Sequence, residues 1–242
     1  MSAEASKAEI EPLRCYVIGD IHGCAELLDR LIDMIVQDAA DMPAERCLAV
    51  TVGDYIDRGP DSATVLDRLA AGPFPMPYVA LKGNHEVLLD AFLREPETAC
   101  DWRLWGGSET LHSYGVDVSG IMRGTEYEQA AASLQAAIPA RHVDFLASLK
   151  LSLTVGRYFI CHAGVRPGVP LDRQSEDDLL WIREDFLNSR ADFGKIVVHG
   201  HTPTREPELR PNRINVDTGA FITGRLTCAV LKDERVKFLS AL

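Results

Sequence analysis

Five apolar, β-type runs in this chain each end in a short polar motif. The motifs are GDIHG at 19–23, GDYIDRG at 53–59, GNHE at 83–86, CHAG at 161–164 and HGHT at 199–202. The runs before them cover 14–18, 47–52, 78–81, 157–161 and 195–198. After the first three motifs the hydrophobic period changes from two to between three and four. Leu27, Leu28, Leu31, Ile32 and Ile35 share one helical face, and Val65, Leu66 and Leu69 share another beyond a start near Ser62 that Asp61 or Ser62 caps. A third helix is expected to start near Glu86. A βαβαβα opening implies a parallel sheet within an α/β fold. Such sheets gather their ligands at the carboxyl ends of the strands, which is where the five motifs lie.

The segment 98–150 breaks this rhythm. It carries WRLWGG at 102–107, an Ala-rich helix over 126–138 and another over 140–149, and reads as a helical insertion or cap, not a separate domain. Trp102 and Trp105 are expected to pack this cap, with a wall of the substrate cleft as the other use of such rings. Gly106 and Gly107 permit close backbone approach. Strands return at 151–155 and 157–161 around Gly156. A helix is expected over 175–188, strands over 195–198 and 214–216, and a closing hairpin from 226–231 and 236–239. Residues 1–11 read as a frayed tail and 12–242 as one domain.

Composition narrows the classes. The hydrophobic share of 46% and the charged share of 25% are those of a globular protein. No apolar stretch of about 18 residues is present, so no membrane-spanning helix is expected. The polar start lacks a signal-peptide core, so a cytoplasmic location is expected. A net charge of −11 disfavours nucleic acid as a partner. The six cysteines form no CxxC pair and read as reduced thiols, with Cys15, Cys47, Cys161 and Cys228 as small buried hydrophobes.

The motifs bear on cations instead. Asp20 and His22, two residues apart on a Gly-flanked loop, can clasp one ion. Asp54 holds the same position after the next strand, and its two oxygens can bridge two ions. Asn84 offers an amide oxygen, and His162 and His201 offer imidazoles. This mixed N/O set without thiolate suits Mn, Fe or Zn. The number of ligands suggests a pair of ions about 3.5–4 Å apart, the usual two-metal hydrolytic arrangement. His112 and His142 lie outside the motifs and read as structural or surface residues.

The five motifs, together with LLWIRE at 179–184 and VDTGA at 216–220, resemble the metallophosphoesterases, in the phosphoprotein phosphatase branch that includes calcineurin. The short bacterial and phage serine/threonine phosphatases of the lambda type are the nearest subgroup, and the resemblance runs from about residue 14 to 231. It implies a double β-sheet sandwich flanked by helices, with a dimetal site at one edge. It implies that Asp20, His22 and Asp54 bind one ion and that Asp54, Asn84, His162 and His201 bind the other, most readily Mn2+, with Fe or Zn as alternatives. His199 then stands beside the site. A metal-bridging hydroxide is the implied in-line nucleophile and His85 the general acid, with Asp57 as its carboxylate partner. Arg58, Asn84 and Arg183 are the implied phosphate-binding residues. The expected activity is a serine/threonine protein phosphatase acting on a phosphoprotein. The alternatives are a symmetrical bis(5'-nucleosyl)-tetraphosphatase or a hydrolase of phosphorylated small molecules. The symmetrical enzymes differ from this chain at Asp57, Glu86 and Thr202. A non-enzymatic scaffold is disfavoured, because every matched catalytic residue is intact. VDTGAF departs from the eukaryotic C-terminal segment, so the regulatory subunits of those enzymes are not expected partners.

Overall fold

The computed structural model describes residues 13–41, 46–97 and 100–242, and the expected tail of residues 1–11 lies outside them. In chain order, β1 (Leu13–Ile18) leads into α1 (Ala25–Ala40), β2 (Arg46–Thr51) into α2 (Ser62–Ala70) and β3 (Tyr78–Ala80) into α3 (Asn84–Arg94). The insertion adds α4 (Gly107–Ser113), α5 (Ser119–Arg123), α6 (Tyr127–Ala137) and α7 (Ala140–Ala147). There follow β4 (Ser152–Val155), β5 (Tyr158–Cys161), α8 (Glu176–Trp181) and α9 (Glu184–Leu187). The remainder is β6 (Ile196–His199), β7 (Glu208–Leu209), β8 (Arg213–Asn215), α10 (Ala220–Thr223), β9 (Leu226–Lys232) and β10 (Arg235–Ala241).

These strands form two five-stranded sheets, ordered β10-β9-β1-β2-β3 and β4-β5-β6-β8-β7. The parallel pairs β1–β2 and β2–β3 are those expected. The closing hairpin joins the same sheet by pairing β9 antiparallel to β1, which makes the sheet mixed. The second sheet has a parallel centre, β5-β6-β8, with antiparallel edges.

Side-chain alternation along β1 explains why the sheets stack. Cys15 and Val17 point one way and meet Val50, Val52, Ile160, Val198 and Ile214 between the sheets. Tyr16 and Ile18 point the other way, into a helical layer holding Leu28, Leu31 and Ile35 of α1 and Val65 and Leu66 of α2. Each such fully buried aliphatic side chain contributes about 1.5–3 kcal/mol relative to exposure. Trp102, Leu111, Ile121, Leu134 and Phe145 of the insertion belong to that same core, so the insertion is packed on the sandwich. The outer face of the second sheet is covered by Leu179, Ile182 and Phe186. Cys15, Cys161 and Cys228 are buried free thiols, and Cys47 is half-buried. Among the described residues no helix is long and apolar enough to cross a membrane.

Two local expectations need correction. Asp61 does take the N-cap position of α2, but its side chain makes no capping hydrogen bond. The helix expected over 175–188 is broken into α8 and α9, because Arg183 leaves helical geometry at φ −130° and ψ −97°. Ile182, extended at ψ 141°, turns into the apolar layer there. The break sends Arg183 toward the HGHT loop, where its Nη1 donates to Thr202 Oγ1 at 3.3 Å.

Candidate metal centre

All five motifs leave the carboxyl ends of parallel strands: β1, β2 and β3 in the first sheet, β5 and β6 in the second. Their turns are tight. His22, Asp54, Asp57, Arg58 and His201 all adopt positive φ, between 45° and 72°. Non-glycine residues there carry about 1–3 kcal/mol of strain each, tolerated where the surroundings over-determine the backbone. The Glu86 carboxylate supplies much of that constraint. It accepts the N–H groups of Asp54 (3.0 Å), Tyr55 (2.9 Å) and Gly83 (2.8 Å), tying the second motif to the start of α3. Burial, then the nearby Asp54 carboxylate, push Glu86 up to about 7.

Within this frame, acceptors face acceptors. The Nδ1 atoms of His22 and His162 lie 2.9 and 3.0 Å from the carbonyls of Ile56 and Val52, which makes each Nδ1 the protonated nitrogen and leaves an Nε2 lone pair directed inward. His162 Nε2 lies 2.8 Å from Asn84 Oδ1 and 3.2 Å from His201 Nδ1, which is itself 2.8 Å from the same amide oxygen. Asp54 spans two groups: its Oδ1 is 3.4 Å from His162 Nε2 and its Oδ2 is 3.5 Å from His22 Nε2. Asp20 Oδ2 accepts the His201 N–H at 2.9 Å, while Asp20 Oδ1 is buried with no partner. Donor atoms of His22, Asp54 and His85, and of Asp54, His162 and His201, converge within 4.8 Å.

The electrostatics agree with the geometry. Burial, then Asp217 and Asp54, raise the Asp20 carboxyl well above its ordinary value. Burial lowers His22 to about 3 and His201 to about 2, so both imidazoles are neutral. Burial alone would raise Asp54, but the positive charge that the imidazoles of His162, His85, His22 and His201 take up in acid holds it below its ordinary value. Buried oxygen and nitrogen lone pairs turned on one another are costly without a positive partner. Two divalent cations sharing Asp54 fit this donor set, and its O and N atoms suit Mn, Fe or Zn.

Beside the acceptors stands a second arrangement. His85 Nδ1 donates to Asp57 Oδ2 at 2.6 Å, which turns its Nε2 toward the site. Burial opposes protonation of His85, but Asp54 and Asp57 outweigh it and raise the imidazole above its ordinary value. Arg58 Nη2 lies 3.2 Å from His85 Nε2, and the guanidinium lies over the Phe221 ring at 4.8 Å. Asp20, His22, Asp54, Asn84, His162, His201, His85, Asp57 and Arg58 are thus brought together, and Arg183 approaches through Thr202. His199 is buried outside the cluster, with its ring against Phe186. His142 is a buried structural residue held by Tyr114 and Asp67, and His112 is exposed.

Sequence reasoning missed three contributors. Asp217 is buried beside Asp20, accepts the Gly219 N–H at 2.8 Å and is pushed up to about 7 by burial. Phe221 stacks edge-on against His22 at 5.2 Å. Both lie in or next to the visible VDTGA motif, which carried no role of its own. The third is the pair Trp102 and Thr110, whose side chains reach Asp57 from the insertion.

Gly106 sits where that insertion meets the site. At φ +99°, its carbonyl accepts the Arg58 N–H at 3.2 Å, and a Cβ there would lie 2.4 Å from the Arg58 nitrogen. Gly106→Ala is therefore expected to destabilise the fold by roughly 1–3 kcal/mol. Urea unfolding checks this, and an unchanged midpoint would contradict the close approach.

The sequence matches the calcineurin-like phosphoesterase family over residues 13–238. The asymmetrical bis(5'-nucleosyl)-tetraphosphatase PrpE of Anoxybacillus flavithermus is 29% identical over 234 residues, covering 87% of this chain and 87% of that protein. Serine/threonine-protein phosphatase 1 of Salmonella typhimurium is 32% identical over 221 residues, covering 88% and 90%. A crystal structure named as a proposed diadenosine tetraphosphatase has the same fold, with a TM-score of 0.64 at 22% identity and coverage of 97% of this chain and 96% of that one.

Proposed function

This chain belongs to the calcineurin-like phosphoesterase family and is a phosphoester hydrolase, and on that premise we propose that it is a serine/threonine protein phosphatase. The observation that carries the reading is the His85–Asp57 pair at 2.6 Å beside the acceptor cluster. A serine or threonine alkoxide is a poor leaving group and needs a proton as the P–O bond breaks. A nucleoside phosphate released from an anhydride leaves without one. A buried, carboxylate-anchored imidazole is therefore of most use on an alkyl phosphoester.

In this reading Arg58 and Arg183 bind the phosphoryl oxygens with their guanidinium forks, and the Asn84 amide helps to orient them. Two divalent cations, held by Asp20, His22 and Asp54 and by Asp54, Asn84, His162 and His201, would neutralise phosphoryl charge and make a water acidic near neutral pH, with Mn2+ the first candidate. His85 Nε2 gives its proton to the departing oxygen, and Asp57 holds the ring that gives it.

The named relatives support a second reading, hydrolysis of a dinucleoside polyphosphate, since one group of them acts on bis(5'-nucleosyl) tetraphosphates asymmetrically. One competition assay separates the two. Mn-loaded enzyme is given phosphoserine and phosphothreonine peptides against diadenosine tetraphosphate, with metal content measured on the same sample. Phosphate release with a higher kcat/KM on the peptides is the expected result. A higher kcat/KM on the dinucleotide would overturn the protein phosphatase reading. Its products would then identify the cut, ADP alone for symmetrical cleavage and ATP with AMP for asymmetrical.

A further inference from the structure

Asp57 is fully buried, and among the described residues His85 is one of three side-chain donors to it. Trp102 Nε1 donates to Asp57 Oδ2 at 2.7 Å, the oxygen that also receives His85 Nδ1. Thr110 Oγ1 donates to Asp57 Oδ1 at 2.6 Å. Both donors come from the insertion and lie outside the five strand-end motifs. Each is itself fixed. The Trp102 indole packs on Phe92 at 4.8 Å between ring centroids, and Gly107 lies so close beneath it that a Cβ would fall 2.3 Å from the ring. The Thr110 hydroxyl is fully buried and lies 3.1 Å from Ser62 Oγ.

A carboxylate with no access to water needs its lone pairs filled by donors, and donors to both oxygens also fix its rotation. We propose that Trp102 and Thr110 are positioning residues of the reaction. By clamping the two oxygens of Asp57 they hold Oδ2 in line with His85 Nδ1, and so keep His85 Nε2 aimed at the leaving oxygen. The insertion then acts on the chemistry through Asp57 and needs no contact of its own with substrate. This inference rests on the phosphomonoester phosphatase reading above and specifies which residues set its acid step.

The test is the leaving-group dependence of the Mn-loaded, full-length chain. Wild type, Trp102→Phe, Thr110→Val and Thr110→Ser are compared on p-nitrophenyl phosphate, whose leaving group needs little help from an acid, and on phenyl phosphate, whose leaving group needs more. Trp102→Phe keeps the ring and removes the N–H. Thr110→Val keeps the shape and removes the hydroxyl. In both, kcat on phenyl phosphate is expected to fall on the order of tenfold further than kcat on p-nitrophenyl phosphate. Thr110→Ser, which restores the donor, is expected to recover most of that gap. Should Trp102→Phe not fold, the Val and Ser variants of Thr110 decide the matter alone. Equal losses on the two esters, in folded variants with full metal content, would overturn the positioning role and leave the phosphoesterase reading standing. A wild-type enzyme inert toward both esters would overturn the phosphomonoester reading, and this proposal with it.

Discussion

Asp54→Asn is expected to lower kcat on a phosphoserine peptide by on the order of a thousandfold or more, together with a fall in bound metal. The reason is the position of the side chain between two groups of acceptors. Oδ1 faces His162 Nε2 at 3.4 Å and also accepts the His85 N–H at 3.1 Å, while Oδ2 faces His22 Nε2 at 3.5 Å. An amide keeps the shape but replaces one oxygen with an NH2 group that has no lone pair to offer and points hydrogens at an imidazole. Charge stabilisation worth several kcal/mol is then lost, which corresponds to the stated rate factor. Metal analysis of purified wild type and variant, beside steady-state kinetics, checks both halves. Unchanged metal stoichiometry in Asp54→Asn would contradict the bridging assignment, even if activity fell.

His85→Asn should separate chemistry from metal binding. Its kcat on the phosphoserine peptide is expected to drop by about 10²–10⁴, the range for removal of a positioned general acid. Metal content should stay near that of wild type. Asn84 leads the first turn of α3 and turns its oxygen to His162 and His201, whereas His85 turns its Nδ1 away to Asp57, so the two neighbours serve different groups. The loss should be smaller on p-nitrophenyl phosphate than on the peptide. A His85→Asn enzyme as fast as wild type on the peptide would exclude the acid role.

Much of this arrangement is legible in the amino-acid sequence. The strand ends showed because an alternating apolar run stopped at Gly-Asp, Gly-Asn or a histidine motif, and parallel sheets bring such ends together. What could not be read has physical causes. The break between α8 and α9 has no glycine or proline to announce it. It falls where Ile182 turns into the apolar layer beside Leu179 and Phe186, a tertiary contact that no local signal announces. The short β7 is two residues long and owes its form to pairing with β8. Trp102 and Thr110 lie 45 and 53 residues from Asp57, and nothing in a tryptophan read alone separates packing from donation of its N–H. Glu86 was visible as the end of GNHE, but its hold on three backbone N–H groups depends on the meeting of two loops 31 residues apart.

The cluster of Asp54, Asn84, His162 and His201 draws two members from the loops of the first sheet and two from the loops of the second. It therefore lies across the seam of the sandwich. Asp20, His22 and Asp54, by contrast, all follow strands made in the first quarter of the chain. During synthesis the ribosome delivers that trio long before His201 exists. Yet β1 is also paired with the C-terminal β9, and Asp20 accepts the His201 N–H, so even the early trio takes its final surroundings only once the last strands are made. A chain that has acquired only the first three motifs therefore lacks both the His162 and His201 imidazoles and the strand that completes the first sheet.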